Sequence, residues 1–314
     1  MKTQSAVSEF ILVGLSSDPE WQGLIFWLFT TIYAVALTFN LLLLITISTC
    51  RKLRTPMYFL LVNLSLVNLF CISIMTPKML RTQLVHHRAI TFRGCITQVY
   101  LFIWALGTEI VLLSFMAFDR YAAICHPLRY TVIMRKEVCV AISVGVWVGG
   151  MANSAVHTGL VHQLSFCDSN IVNHFFCNLP PLLMLSCSET SLNETMVFVS
   201  DVLIAIGSCA LTLTSYGFSL RTIFGIRSTE GKKKAFSTCS SHLLVVTFYF
   251  STIIYTFTRP ASIYSLDEDK MISLLYSVVP PVVNPIVYSL RNREVKEGLK
   301  QLVRRNMLFQ RFLS

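Results

Sequence analysis

Asp119, Arg120 and Tyr121 stand together at the end of a long apolar run. An acid beside an arginine makes a charge-assisted pair, and opening it releases a cation and its donors, which is the chemistry of a two-state switch. A second acid, Glu109, lies earlier in the same run. A carboxyl group at such a depth is costly and is kept for a function. Catalytic patterns are absent: the chain has no GxGxxG or GxxxxGK phosphate loop, no CxxC pair and no nucleophile–base arrangement. The adjacent His86 and His87 read as a solvated loop rather than a metal site, and no cofactor is expected.

The elements that carry these residues are helices in a bilayer. Of 314 residues, 54% are hydrophobic and 13% charged, against about 25% charged in soluble domains. Seven apolar stretches run over about 24–49, 57–79, 96–124, 138–160, 197–224, 236–258 and 271–290. Each is long enough to span, and open strands at that depth would leave backbone groups unsatisfied in lipid. The fold class is therefore an all-α membrane protein, a seven-transmembrane helix bundle spanning 24–290. Residues 1–23 form an extracellular segment and 291–314 a cytoplasmic tail. Residues 1–23 lack a basic start followed by a short apolar core, so the first span is expected to act as an uncleaved signal-anchor.

Orientation follows from the basic residues. Nineteen of the 26 Lys and Arg fall after spans one, three, five and seven, which puts those segments inside and the N-terminus outside. The net charge of +10 thus faces anionic lipid rather than nucleic acid. In the tail, Val295, Leu299, Leu302 and Val303 recur at helical spacing among basic residues, predicting a short amphipathic helix along the inner surface. Four cysteines, Cys95, Cys167, Cys177 and Cys187, fall on the outer, oxidising side. Four cysteines allow three pairings, and their spacing does not choose between them.

Several blocks together carry a resemblance. Met116 to Cys125 closes the third span, and Leu53-Arg54-Thr55-Pro56-Met57-Tyr58-Phe59-Leu60 opens the second. Lys234 to Leu243 enters the sixth, Ser215-Tyr216 lies in the inner fifth, and Pro280 precedes Asn284 to Asn292 at the end of the seventh. Glu9 to Leu15 adds an N-terminal block. In order and spacing the chain resembles the vertebrate olfactory (odorant) receptors of the rhodopsin-like G-protein-coupled class. Transporters would need broken helices or acids along a path. A receptor of the same fold serving a tissue outside the nose is the alternative function.

The resemblance implies disulfides Cys95–Cys177 and Cys167–Cys187, pinning the second outer loop over a pocket. It implies a switch of Asp119, Arg120, Tyr121, Tyr216, His242, Asn284, Pro285 and Tyr288. It also implies that a small volatile lipophilic ligand binds in the bundle, and that a heterotrimeric G protein with a stimulatory olfactory α-subunit then raises cAMP. Counting along the helices from the switch places Phe102, Ile103, Leu106 and Gly107 on the inner face of the third span, with Ser200 and Ile204 near the same depth in the fifth. Phe250, Ile253, Ile254 and Phe257 of the sixth and Leu274 and Ser277 of the seventh complete the expected lining. Asp201, near the outer end of the fifth, reads as an interfacial acid.

Departures are also legible. Asn68 stands where the family usually has an aspartate, so a sodium site shared with Glu109 loses one charge. Phe39 replaces a common glycine, Phe118 a tyrosine, and Tyr249-Phe250-Ser251 the usual Phe-Tyr-Gly. Residues 1–10 contain no Asn for the family's usual N-terminal glycan, which leaves Asn193-Glu194-Thr195 as the outer acceptor sequence. Asn63-Leu64-Ser65 has the same pattern but lies in the membrane.

Overall fold

The computed structural model describes residues 7–16, 18–85, 88–167, 169–258, 265–292, 294–302 and 304. His86 and His87, and the tail from residue 305, lie outside them. Ten α-helices, a 3-10 turn at Arg51–Leu53 and three short strands follow one another among the described residues, ahead of a further helical stretch at 294–302.

Helix α1 (Pro19–Thr49) is started by Asp18, whose carboxylate accepts the Glu20 amide, with Pro19 preset for the first turn. Helix α2 (Pro56–Val85) likewise opens on a proline, and α3 (Phe92–Cys125) is capped by Thr91. A short turn, α4 (Tyr130–Ile133), leads into α5 (Lys136–His162). Helix α6 (Leu179–Met184) sits in the long loop between α5 and α7 (Ser191–Gly225), and α8 (Thr229–Thr258) follows. The seventh span is two pieces, α9 (Leu266–Ser277) and α10 (Val279–Arg291), because Pro280 and Pro281 lack the amides that would continue the ladder.

Six helical stretches are long and apolar enough to cross a membrane, and α8 carries a shorter apolar run, His242–Thr252. Their burial separates centre from rim. In α2 and α3, 61% of the apolar window is buried, against 17% in α5 and 12% in α7. The rim faces expose Trp27, Leu203, Ile206 and Phe224. Water would not tolerate so much apolar surface, and lipid does.

Helix α3 is the hub, packing on α2, α5 and α7. Its approach to α5 depends on missing side chains. Gly107 faces Gly150, and a Cβ on Gly150 would lie 2.5 Å from Thr108 Oγ1 and 3.2 Å from the Trp104 carbonyl oxygen. Small residues let membrane helices approach in this way. Polar ties reinforce the contact. Trp104 Nε1 donates to the Trp147 carbonyl at 2.9 Å, and Trp147 Nε1 donates to Asn63 Oδ1 at 3.0 Å. The glycan-like Asn63 is thereby committed to helix packing.

The end of the bundle that carries the N-terminal segment holds a small sheet that the reading of residues 1–23 as a simple polar segment did not include. Strand β1 (Glu9–Leu12) pairs antiparallel with β2 (Ala89–Thr91) and parallel with β3 (Ile171–Val172). Alternation puts Phe10 and Leu12 inward, fully buried. Gly14, with φ of 85°, then turns the chain, and its amide reaches the His174 carbonyl at 3.1 Å.

Both implied disulfides, Cys95–Cys177 and Cys167–Cys187, are formed. The first ties the loop to the top of α3. There the Cys177 amide also donates to Gln98 Oε1 at 2.9 Å. Between the bridges lies a buried run, His174, Phe175 and Phe176. Burial first, then the nearby Lys270 ammonium, push His174 from 6.5 down to about 3.

At the other end residues 294–302 are helical. The helix packs on the bundle: Val295 is fully buried in the cluster containing Leu53 and Tyr58. A Cβ on Gly298 would come within 2.9 Å of Thr46.

Two expectations follow. Gly150→Ala forces α3 and α5 apart, costing about 1–3 kcal/mol and lowering the melting temperature of the purified receptor. Gly149→Ala, which meets nothing within 4 Å, leaves it unchanged. Because the unfolded chain takes a proton at His174 near pH 6.5 and the folded one only near 3, this group's stability is full above 6.5 and is lost as pH falls through that window. The loss is at most about 1.4 kcal/mol per pH unit. Melting curves from pH 7.5 to 5 are therefore expected to fall more steeply for the parent than for His174→Gln.

Candidate functional site

Three polar or concave features are stacked along α3. The outermost is a cavity of about 150 Å³ under the pinned loop. Phe102, Ile103, Leu106, Gly107 and Ile110 of α3 form one wall, and Val197 and Ile204 of α7 another. Asn178, Leu179 and Pro180 come down from the loop, while Asn153, His157, Asp269 and Tyr276 supply polar groups. Phe176 packs edge-on to Phe102 at 4.8 Å, holding the lid to the wall. Small-molecule sites have this composition, mostly apolar with a few directed polar atoms.

Of the expected lining, Phe102, Ile103, Leu106, Gly107 and Ile204 stand around this cavity. Ser200 stands one layer back, its hydroxyl 2.8 Å from His157 Nε2. Phe250 is buried in the central core beside Tyr249. Leu274 packs against the cluster of Phe102 and Ile272. Ser277 satisfies its own helix by donating to the Ser273 carbonyl. The side chains of Ile253, Ile254, Phe257 and Asp201 lie outside those described. Counting from the switch missed Asn153, His157, Asn178, Asp269 and Tyr276. A histidine and an asparagine within the fourth apolar run were the available signal.

Below the cavity lies a buried polar chain. Glu109 is fully buried. Its Oε1 accepts from Asn284 Nδ2 at 3.1 Å and its Oε2 from the Tyr249 hydroxyl at 3.3 Å. Asn284 Nδ2 also reaches Asn68 Oδ1 at 3.3 Å, and Asn68 Nδ2 donates to Asn40 Oδ1 at 3.2 Å. Asn68 thus acts as an amide relay, donating in a direction where an ionised aspartate would have nothing to donate. Among the described residues Arg120 pairs with Asp119 and Arg135 with Glu137, while Glu109 has no ion pair.

The innermost feature is the arginine pair. Both Nε and Nη2 of Arg120 donate to Asp119 Oδ2, and the Tyr130 hydroxyl donates to Asp119 Oδ1 at 2.7 Å. Burial, and then the Asp119 charge, raise the Tyr130 phenol above its ordinary range, so it remains a donor. Tyr121 turns outward to His126, 3.0 Å away. Across the inner end, the Tyr216 hydroxyl lies 2.5 Å from His242 Nδ1, and the His242 ring is 6.3 Å from that of Tyr288. Among the described residues, His242 Nε2 and the Tyr288 hydroxyl are buried with no hydrogen-bond partner. The acceptor candidate Asn193 lies in the first turns of α7 and is 5% exposed, not on an open loop.

Comparison with known proteins adds independent information. The family model described as olfactory receptor matches residues 29–306. Human olfactory receptor 13G1 is 49% identical, with 95% of this chain and 97% of that protein covered. Human olfactory receptor 13A1 is 43% identical over 96% of this chain and 92% of its own length. Mouse olfactory receptor 5AP2 is 45% identical over 96% and 95% respectively. Likeness of this extent runs through every span and both bundle ends: the chain belongs to the olfactory receptor family, whose members are seven-helix G-protein-coupled receptors and not enzymes.

Proposed function

We propose that this receptor binds a small, uncharged, lipophilic odorant in the cavity under the second outer loop. The observation that carries the reading is the cavity itself: a mainly apolar space of about 150 Å³ whose lid is fixed by a disulfide to the top of α3. Its polar groups number few enough to orient a ligand without demanding a charged one. The proposed orientation, N-terminus outside and C-terminus cytoplasmic, rests on the basic residues.

The proposed signal is the release of Arg120 from Asp119. The ligand shifts the balance by as much as its affinity differs between closed and open bundles. An opened inner end then admits a stimulatory olfactory G-protein α-subunit, and cAMP rises. His242 and Tyr288 belong to this step because their buried Nε2 and hydroxyl lack partners in the present arrangement and gain them when the inner helices move, and Tyr216 joins them through its hydrogen bond to His242.

The test is cAMP in cells expressing the chain, against a broad odorant panel, with surface staining of an outer N-terminal tag. An odorant-dependent rise is expected, and Arg120→Ala at equal surface level abolishes it. Silence of the well-expressed parent across the panel counts against the reading. Leu106→Trp fills the cavity and is expected to raise the effective odorant concentration at least about tenfold, with surface level unchanged. An unaltered dose–response would place the ligand elsewhere.

A further inference from the structure

A second and larger concavity lies at the opposite end of the bundle, between α1, α2, α4 and α5. Its volume is about 790 Å³. Its mouth carries Arg54, Arg135 and Lys136, all exposed, with Glu137 as the one acid. Its floor is apolar: Phe59, Val62, Met134 and Val140 extend it past the first turns of α2 and α5, into the part of the bundle that lipid surrounds. Phe59 and Val140 are themselves 37% and 42% exposed, so this floor is left open by the fold. The Arg135–Glu137 contact is 3.8 Å long between largely exposed groups, and does not hold the arginine against a better anion.

A basic mouth over an apolar floor matches one class of occupant, an amphiphile with a negative head. A soluble anion would leave the floor bare, and a neutral lipid would leave the cations without a counter-charge. We propose that the cleft binds one anionic phospholipid of the cytoplasmic leaflet. Its phosphate lies among Arg54, Arg135 and Lys136, and its acyl chain lies along Phe59, Val62 and Val140. The leaflet assignment rests on the orientation proposed above, while the binding chemistry does not. The same cleft touches the switch, because Tyr130 lines it and donates to Asp119. An occupant therefore rests against the residue that helps hold the arginine pair.

The full-length receptor, purified in mild detergent, is incubated with dioctanoyl phosphatidylserine, phosphatidylinositol bisphosphate or phosphatidylcholine, and retained lipid is counted by native mass spectrometry. Retention of an anionic lipid over phosphatidylcholine is expected, and comparing the two anionic arms tells which headgroup is preferred. Combined Arg54→Gln, Arg135→Gln and Lys136→Gln is expected to weaken retention about tenfold or more. Val140→Trp, which fills the floor and leaves the charge unchanged, is expected to weaken it similarly. All four positions are surface-exposed, and unchanged melting temperatures confirm folding. Equal retention of phosphatidylcholine, or full retention by either variant, overturns the proposal. So does equally tight binding of the soluble inositol phosphate headgroup, which would make the mouth a site for polar anions such as an acidic peptide. The assay involves neither odorant nor G protein, so its failure leaves the odorant reading intact.

Discussion

Pro285 has no amide hydrogen, so the carbonyl of Pro281, one turn earlier in α10, has no partner within its own helix. In water this would cost little. In a bundle interior surrounded by lipid, an unsatisfied carbonyl costs several kcal/mol. Asn40 of α1 supplies the missing donor at 2.8 Å, with its carbonyl turned to accept from Asn68. Asn68 in turn accepts from Asn284, and Asn284 donates onward to Glu109, which also takes the Tyr249 hydroxyl. One absent hydrogen in the seventh span is thereby compensated by a chain of side chains from five spans. The same arithmetic recurs a turn earlier, where Pro281 frees the Ser277 carbonyl and the Cys71 thiol of α2 faces it at 3.8 Å.

That chain gives α3 its role. Phe102 at the cavity, Glu109 in the network and Asp119 at the arginine pair lie on one continuous helix. A side-chain change at the cavity wall thus has a physical route inward through groups that have alternative partners. Asn284 sits beside the proline that breaks the ladder, and Tyr288, one turn further, faces His242 with its hydroxyl unpartnered. The partnerless His242 Nε2 and Tyr288 hydroxyl gain hydrogen bonds if the helices around them move, which lowers the cost of rearrangement there.

Local signals in the sequence carried most of the architecture. Apolar runs of spanning length, Pro56 and Thr91 at helix starts, and the prolines of the seventh span are each readable from a few neighbouring residues. What depends on distant parts of the chain was less legible. Glu9–Leu12 is a strand only because Ala89–Thr91 and Ile171–Val172 arrive on either side of it. The tail helix was readable as amphipathic, and Val295 and Leu299 of its apolar stripe do pack on the bundle, but its close approach to Leu53 and Thr46 also depends on Gly298, which the stripe does not announce. Periodicity places a residue on a helix face without saying whose side chain stands in front of it. Ser200 is engaged by His157, and it is His157 that lines the cavity.

Gly107 joins the cavity proposed for the ligand to the packing of the bundle. It lines the cavity, and it is also the point where α3 comes up to Gly150 of α5. A side chain at Gly150 would have to displace Thr108 or Trp104, whereas one at Gly107 would meet only the Gly150 Cα at 4.0 Å, so the two helices meet at a distance set by the absence of atoms at Gly150. That distance fixes how far the α3 wall stands from Val197 and Ile204 across the cavity. Cavity width is therefore a consequence of helix packing as much as of lining residues. Lining positions such as Leu106 and Ile204, by contrast, reshape the cavity by a methyl group or two while leaving the frame alone. A change at the glycine contact alters width and stability together, which confines adjustment of specificity to side chains that the helix crossing does not use.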